Sequence, residues 1–150
     1  MSFVAIVSQP IDPIDCLNLV GSEEDGANIL FLGVVRNHNE GLAVKGVQYE
    51  AYEEMAKMVL GEITGEAQKE YGTERIAVVH RTGDLIIGDI SVAVAVSSHH
   101  REEAFAASRY IMEEIKKRLP VWKKEAYAGG GKDWVEGMTP GPSLATETTQ

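Results

Sequence analysis

The chain has 150 residues, 44% of them apolar, and carries 23 acidic against 14 basic side chains for a formal net charge of -9. That composition fits one globular domain. It argues against broad nucleic-acid binding, which needs a basic face, and no run approaches the ~18 apolar residues of a membrane span. The N-terminal MSFVAIVSQP lacks the basic start and long apolar run of a signal peptide, so a cytoplasmic location is the expectation.

In chain order, residues 2–7 (SFVAIV) read as a strand and 12–20 (DPIDCLNLV) as a short helix. The single cysteine, Cys16, sits among Ile14, Leu17 and Val20 and has no CxxC or Cys/His partner spacing, which points to an inert packed thiol. After the acidic turn GSEEDG, NILFLGVVR (28–36) is rich in β-formers, NHNEGLAVKG suits an exposed loop, and 44–50 returns to a strand. From Tyr52 onward, Met55, Ala56, Val59, Leu60, Ile63 and Ala67 recur at helical spacing, with Gly61 and Gly65 on the outer face.

RIAVVHR (75–81) and DISVAVAVSS (89–98) read as strands separated by a GDLIIGD turn region. The second alternates Val92, Val94 and Val96 with Ala93 and Ala95, the pattern of a strand covered on both faces. Residues 99–119 form a second long helix, with Ser98 as the expected N-cap, Glu102 and Glu103 at its positive end and Pro120 as its stop. These elements predict an α+β domain, helices on a mixed or antiparallel sheet, over residues 1–136. The segment 137–150 has no apolar period and is expected to be a mobile tail.

Positive charge is concentrated in KKRLPVWKKE (116–125), which holds five of the 14 basic residues. On a helical wheel centred on Phe105, Met112, Ile115 and Leu119 fall within roughly 80° on one side and Lys116 about 20° on the other. Lys116 is therefore expected to emerge half-buried from the edge of the apolar stripe, where an ammonium needs an anion or must lose its proton. Lys117 and Arg118 point to water and complement the helix dipole. Beyond Pro120 an extended chain sends one of Lys123 and Lys124 toward the core side and the other away, and Trp122 reads as core packing. His100 and Arg101 lie in the first turn of the helix, either as a phosphate site or as solvated side chains. Arg36, at a strand end, is a third anion-binding candidate. His99–His100 is a poor metal motif, because adjacent helical residues diverge, and neither a metal nor another cofactor is expected.

FLGVVRNHNEG (31–41), YEAYEEMA (49–56), HRTGDLIIGD (80–89), VSSHHREEAF (96–105) and KKRLPVWKKE (116–125) together resemble the MoaE-type large subunit of molybdopterin synthase. The resemblance runs from about residue 26 to Trp134. It implies an α/β-hammerhead fold with an additional antiparallel β subdomain. It also implies an activity in molybdenum cofactor biosynthesis, the conversion of cyclic pyranopterin monophosphate (precursor Z) to molybdopterin by installing two dithiolene sulfurs. The sulfur would arrive as a thiocarboxylate on the C-terminal Gly-Gly tail of a small ubiquitin-like (MoaD-type) subunit. Two large and two small subunits would form a heterotetramer around a large-subunit dimer. Carried onto this sequence, Lys116 and Lys123 match catalytic lysines. Val34, Val35 and Arg36 match a substrate-lining strand end, His100 and Arg101 a phosphate-side pair, and Lys124 and Glu125 a continuation of the pocket.

The residues themselves agree on one point: without a reactive-cysteine motif or metal cluster, a sulfurtransferase of this kind needs a partner to deliver sulfur. A non-catalytic adaptor that holds an anionic tail or ubiquitin-like protein through 116–124 is the alternative. A small RNA-binding domain is a weaker one, since the chain offers neither an aromatic stacking platform nor a basic face.

Overall fold

The computed structural model describes residues 1–128 and, as backbone, 132–135; the tail expected over 137–150 lies outside the described residues. Two sheets organise the chain. The first has the order β1 (Ser2–Val7), β5 (Arg75–Arg81), β7 (Ile90–Ser98), β2 (Ala27–Val34), with β1 parallel to β5 and the other pairs antiparallel. Alternation assigns its faces. Ile76, Val78, Val92, Val94 and Val96 pack under α2 (Glu53–Tyr71) and α3 (Arg101–Arg118), whereas Ala77, Ala93 and Ala95 meet Cys16 of α1 (Pro13–Asn18). Large residues thus face the long helices and alanines the short one. The Cys16 thiol is buried, and burial pushes its pKa up, so it is an inert packed group.

The second sheet is antiparallel throughout. β4 (Leu42–Ala51) pairs on one edge with β3 (His38–Asn39) and β6 (Gly83–Ile86), and on the other with β8 (Val121–Tyr127), which pairs in turn with β9 (Lys132–Val135). Val44, Val47 and Leu85 form a small core there with Val35. This is the α+β arrangement with a second antiparallel sheet that the sequence led us to expect.

Three local expectations fail, each for an identifiable reason. NHNEG is not simply a loop: Glu40 (φ 50°) and Gly41 (φ 80°) form a two-residue hairpin turn that pairs His38 with Ala43 and Asn39 with Leu42. The GDLIIGD segment carries strand β6, which a turn-rich composition concealed. The N-cap of α3 is His100 rather than Ser98, since Ser98 still belongs to β7 and the chain needs two more residues to turn. The expected acidic first turn, Glu102 and Glu103, is present. Among the described residues no helix is long and apolar enough to cross a membrane.

The stripe of α2 is as expected at Ala56, Leu60, Ile63 and Ala67, with Met55 outside it, whereas that of α3 is rotated. Met55 and Phe105 are 49% and 59% exposed, and α3 instead buries Ala104, Ala107, Ser108, Ile111 and Ile115. Centring a wheel on the largest side chain misplaced the stripe, because small residues let the helix approach the sheet closely. On the corrected wheel Lys116 lies about 120° from the stripe centre, on the flank that also carries Met112.

Candidate active site

Where the two sheets meet the C-terminal end of α3 lies an open cavity of about 400 Å³. β2 contributes Phe31 to Val34, and Arg36 follows just beyond it. α3 contributes Met112, Ile115 and Lys116, and β8 contributes Val121 and Lys123. Tyr49, His80, Ser91 and Val92 complete it from β4, β5 and β7. The lining therefore brings Arg36, Lys116 and Lys123 together and, among the described residues that line it, includes no carboxylate.

Local structure explains each position. β2 shifts register against β7 between Gly33 and Val34, and a Cβ on Gly33 would lie 2.7 Å from Val92 Cγ1. Only glycine lets the strand pass this close to the cavity wall. Past the shift, Val35 is pinned at both backbone groups: its N–H donates to Asp89 O (2.9 Å) and its carbonyl accepts from Gly88 N–H (2.8 Å). Asp89 is itself held by Arg81 (3.4 Å) and by the Ile86 N–H (3.0 Å). Val35 is thus a buried anchor that presents Arg36 at the cavity rather than a lining residue.

The three cations differ in setting. Lys116 is exposed rather than half-buried, because the helix stripe lies elsewhere, yet its flank faces the cavity. Lys117 faces water beside Glu114. Arg118 departs from expectation: it pairs with Glu66 of α2 (2.7 Å) and Glu114 (2.8 Å), clamping the two long helices. On β8 the alternation works as expected. Lys123 is 6% exposed and faces the cavity, while Lys124 lines a shallower depression with Lys45, Gln48 and Asp84. Trp122 is buried, donates to Glu50 (3.2 Å) and meets Tyr52 edge-on.

Glu125, 3% exposed, lies behind Lys123 rather than in the cavity lining. Its Oε1 accepts from Asn39 Nδ2 (2.8 Å) and the Tyr127 hydroxyl (3.1 Å), while Oε2 lies 3.9 Å from Lys123 Nζ. The two other bonds fix the carboxylate, so it stands as an oriented negative charge beside the buried Lys123 side chain. His100 and Arg101, at the opposite end of α3, are not in this chain's cavity lining.

The wall also holds residues that sequence reasoning passed over: Tyr49, His80 and Ser91. Tyr49 and His80 open two of the segments that carried the resemblance, which was the available signal. Burial pushes the His80 imidazole down to about 4, so it is neutral near pH 7. Burial likewise raises the Tyr49 phenol, which stays protonated. A folded-state pKa of about 4 against an ordinary 6.5 means that unfolding takes up a proton between those values. The contribution is intact above pH 6.5 and is lost as pH falls toward 4, by roughly 3 kcal/mol in total. Denaturant melts of wild type and His80→Gln from pH 7.5 to 4 should show a shallower acid slope in the variant; equal slopes would contradict a buried neutral imidazole.

Among the described residues no group of three or more His, Cys, Asp or Glu side chains could hold a metal ion. The arrangement suits a different task, binding an organic anion and stabilising negative charge that develops beside Lys116 and Lys123.

Comparison with known proteins agrees with this geometry. The family model described as MoaE protein matches residues 6–118. A molybdopterin synthase catalytic subunit of Thermoplasma volcanium is 41% identical over 133 residues, covering 89% of this chain and 97% of that protein. The one from Salmonella typhimurium is 42% identical over 127 residues, 85% of this chain and 84% of its own length. The crystal structure of molybdopterin synthase from Staphylococcus aureus superposes with a TM-score of 0.82 at 39% identity, covering 87% of this chain and 94% of that one. A family match across most of the chain, relatives near 40% identity and a shared fold lead to one conclusion: the chain belongs to the MoaE family, as an enzyme of the molybdopterin synthase catalytic-subunit type.

Proposed function

We propose that the cavity is where cyclic pyranopterin monophosphate is converted to molybdopterin, with sulfur supplied by the thiocarboxylated Gly-Gly tail of a small ubiquitin-like subunit. The observation that carries this reading is the convergence of Arg36, Lys116 and Lys123 on one cavity with no carboxylate among the described residues that line it. An acidic chain gathers cations in this way where an anion must be held. The name catalytic subunit, borne by the relatives, agrees with a second component.

Each sulfur transfer joins the tail's sulfur to a pterin side-chain carbon as that carbon's C–O bond breaks, the oxygen leaving as water or with the opened phosphate ester. The bond between that sulfur and the glycine carbonyl carbon then breaks as water adds, leaving the tail a carboxylate and the sulfur on the pterin. The oxyanion formed at the glycine carbonyl needs a nearby positive donor. Lys116, exposed on the cavity side of α3, is the group that polarises it or handles a proton. Lys123, buried beside Glu125, holds the developing charge. Arg36 grips substrate anions through its planar fork. Arg36→Lys is expected to stay impaired, with a higher KM, because a point charge cannot reproduce two parallel hydrogen bonds. Full activity across substrate concentrations would remove Arg36 from the site.

Two copies of this chain and two small subunits form the proposed assembly. The deciding experiment purifies the chain with a thiocarboxylated small subunit and follows pterin conversion. Formation of the dithiolene product supports the enzyme. Stable binding of the small subunit with unchanged pterin would favour an adaptor.

A further inference from the structure

We infer that His80 is a substrate-recognition residue: its Nε2 accepts a hydrogen bond from an N–H on the edge of the bound heterocycle, setting that donor edge inward and the anionic end toward the three cations. The inference rests on the pterin reading above and adds an orientation to it.

The tautomer follows from the structure. His80 Nδ1 lies 3.0 Å from Arg81 O. A carbonyl oxygen can only accept, so Nδ1 carries the proton and Nε2 is the lone-pair nitrogen. No described residue hydrogen-bonds Nε2, and the ring lines the cavity. The ring plane is fixed as well, since Tyr49 meets it edge-on with centroids 5.3 Å apart at 74°.

The neighbouring Ser91 hydroxyl is already committed. Its Oγ donates to Gly33 O (3.2 Å), which uses its only proton. Nε2, by contrast, is an acceptor that this wall can offer to a guest. An uncharged acceptor suits the place. A carboxylate there would pair with Arg36, Lys116 or Lys123 and cancel the charge that holds the anion, whereas a neutral imidazole reads a donor without doing so.

The test measures binding of cyclic pyranopterin monophosphate and of inorganic phosphate by calorimetry, with turnover and melting temperature measured in parallel. His80→Phe keeps a ring against Tyr49 and loses the acceptor; His80→Gln supplies an amide oxygen near the Nε2 position. We expect His80→Phe to weaken pterin binding about tenfold, the scale of one net hydrogen bond. KM should rise in step, kcat should stay within about threefold and phosphate binding should be unaltered. His80→Gln should recover most of the pterin affinity. Wild-type affinity in His80→Phe would overturn the inference. So would equal losses in both variants accompanied by equal drops in melting temperature, which mark a structural role. Turnover by the wild-type protein separately decides the enzyme reading: pterin bound but not converted would refute that reading while the His80 comparison still stands on affinity alone.

Discussion

Lys116→Ala should lower turnover at least ~100-fold while leaving melting temperature and small-subunit affinity near wild type. The expectation follows from where the ammonium sits. It is exposed on the cavity flank of α3, next to Met112 and Ile115, and its removal opens no hole in the core. Lys117, one residue on, points away beside Glu114, and Lys117→Ala should change kcat by less than about twofold. The pair is informative because both substitutions remove one unit of positive charge from the same helix turn. A general electrostatic effect on an anionic tail would weaken both alike. Equal losses, read as kcat at saturating small subunit, would refute a specific role for Lys116.

Mixing two inactive variants should restore activity. His100 sits at the N-cap position of α3 and Lys116 lies in its last turn, sixteen positions and about 24 Å apart along the axis. A pterin monophosphate spans roughly half that distance, and the structure accordingly leaves His100 and Arg101 outside the cavity that Lys116 lines. If they act on the same substrate, they do so from the two-fold mate, in an isologous dimer that sets two α3 helices antiparallel. Lys116→Ala mixed with a His100→Ala, Arg101→Ala variant then yields one intact and one doubly damaged pocket per mixed dimer. After subunit exchange, activity should rise from near zero toward half of wild type per mixed dimer. No recovery, with exchange demonstrated by mass, would confine each site to one chain.

The sequence exposes some of this site and hides the rest for physical reasons. Strand alternation was enough to send one of Lys123 and Lys124 inward and the other outward, because the side-chain period of an extended chain is fixed by geometry; the resemblance, not the alternation, singled out Lys123. The Val/Ala alternation of β7 likewise announced two covered faces. Helix α3 was harder: three of its five buried residues are alanine or serine, so the exposed Phe105 misled the wheel and put Lys116 at the wrong depth. Strand β6 was invisible because long-range pairing with β4, not local propensity, makes it a strand, and the Glu40–Gly41 hairpin because its tight turn lies in a polar stretch of loop-like composition. His80 was overlooked since a histidine inside an apolar strand reads as core until the cavity beside it is seen. Glu125 came only with the resemblance, and its bond with Asn39 could not be read locally, because Asn39 lies on β3, 86 positions away.

The central claim is that this cavity transfers sulfur from partner to pterin, and the most direct measurement counts that sulfur. Wild-type chain, limiting cyclic pyranopterin monophosphate and excess thiocarboxylated small subunit are mixed, and intact masses of the small subunit are followed beside the pterin product. We predict loss of two thiocarboxylates, each replaced by a carboxylate, for every pterin converted. Lys116→Ala should bind the same small subunit and consume almost none. Thiocarboxylate that survives unchanged on the bound small subunit, with intact pterin beside the wild-type chain, would contradict the account.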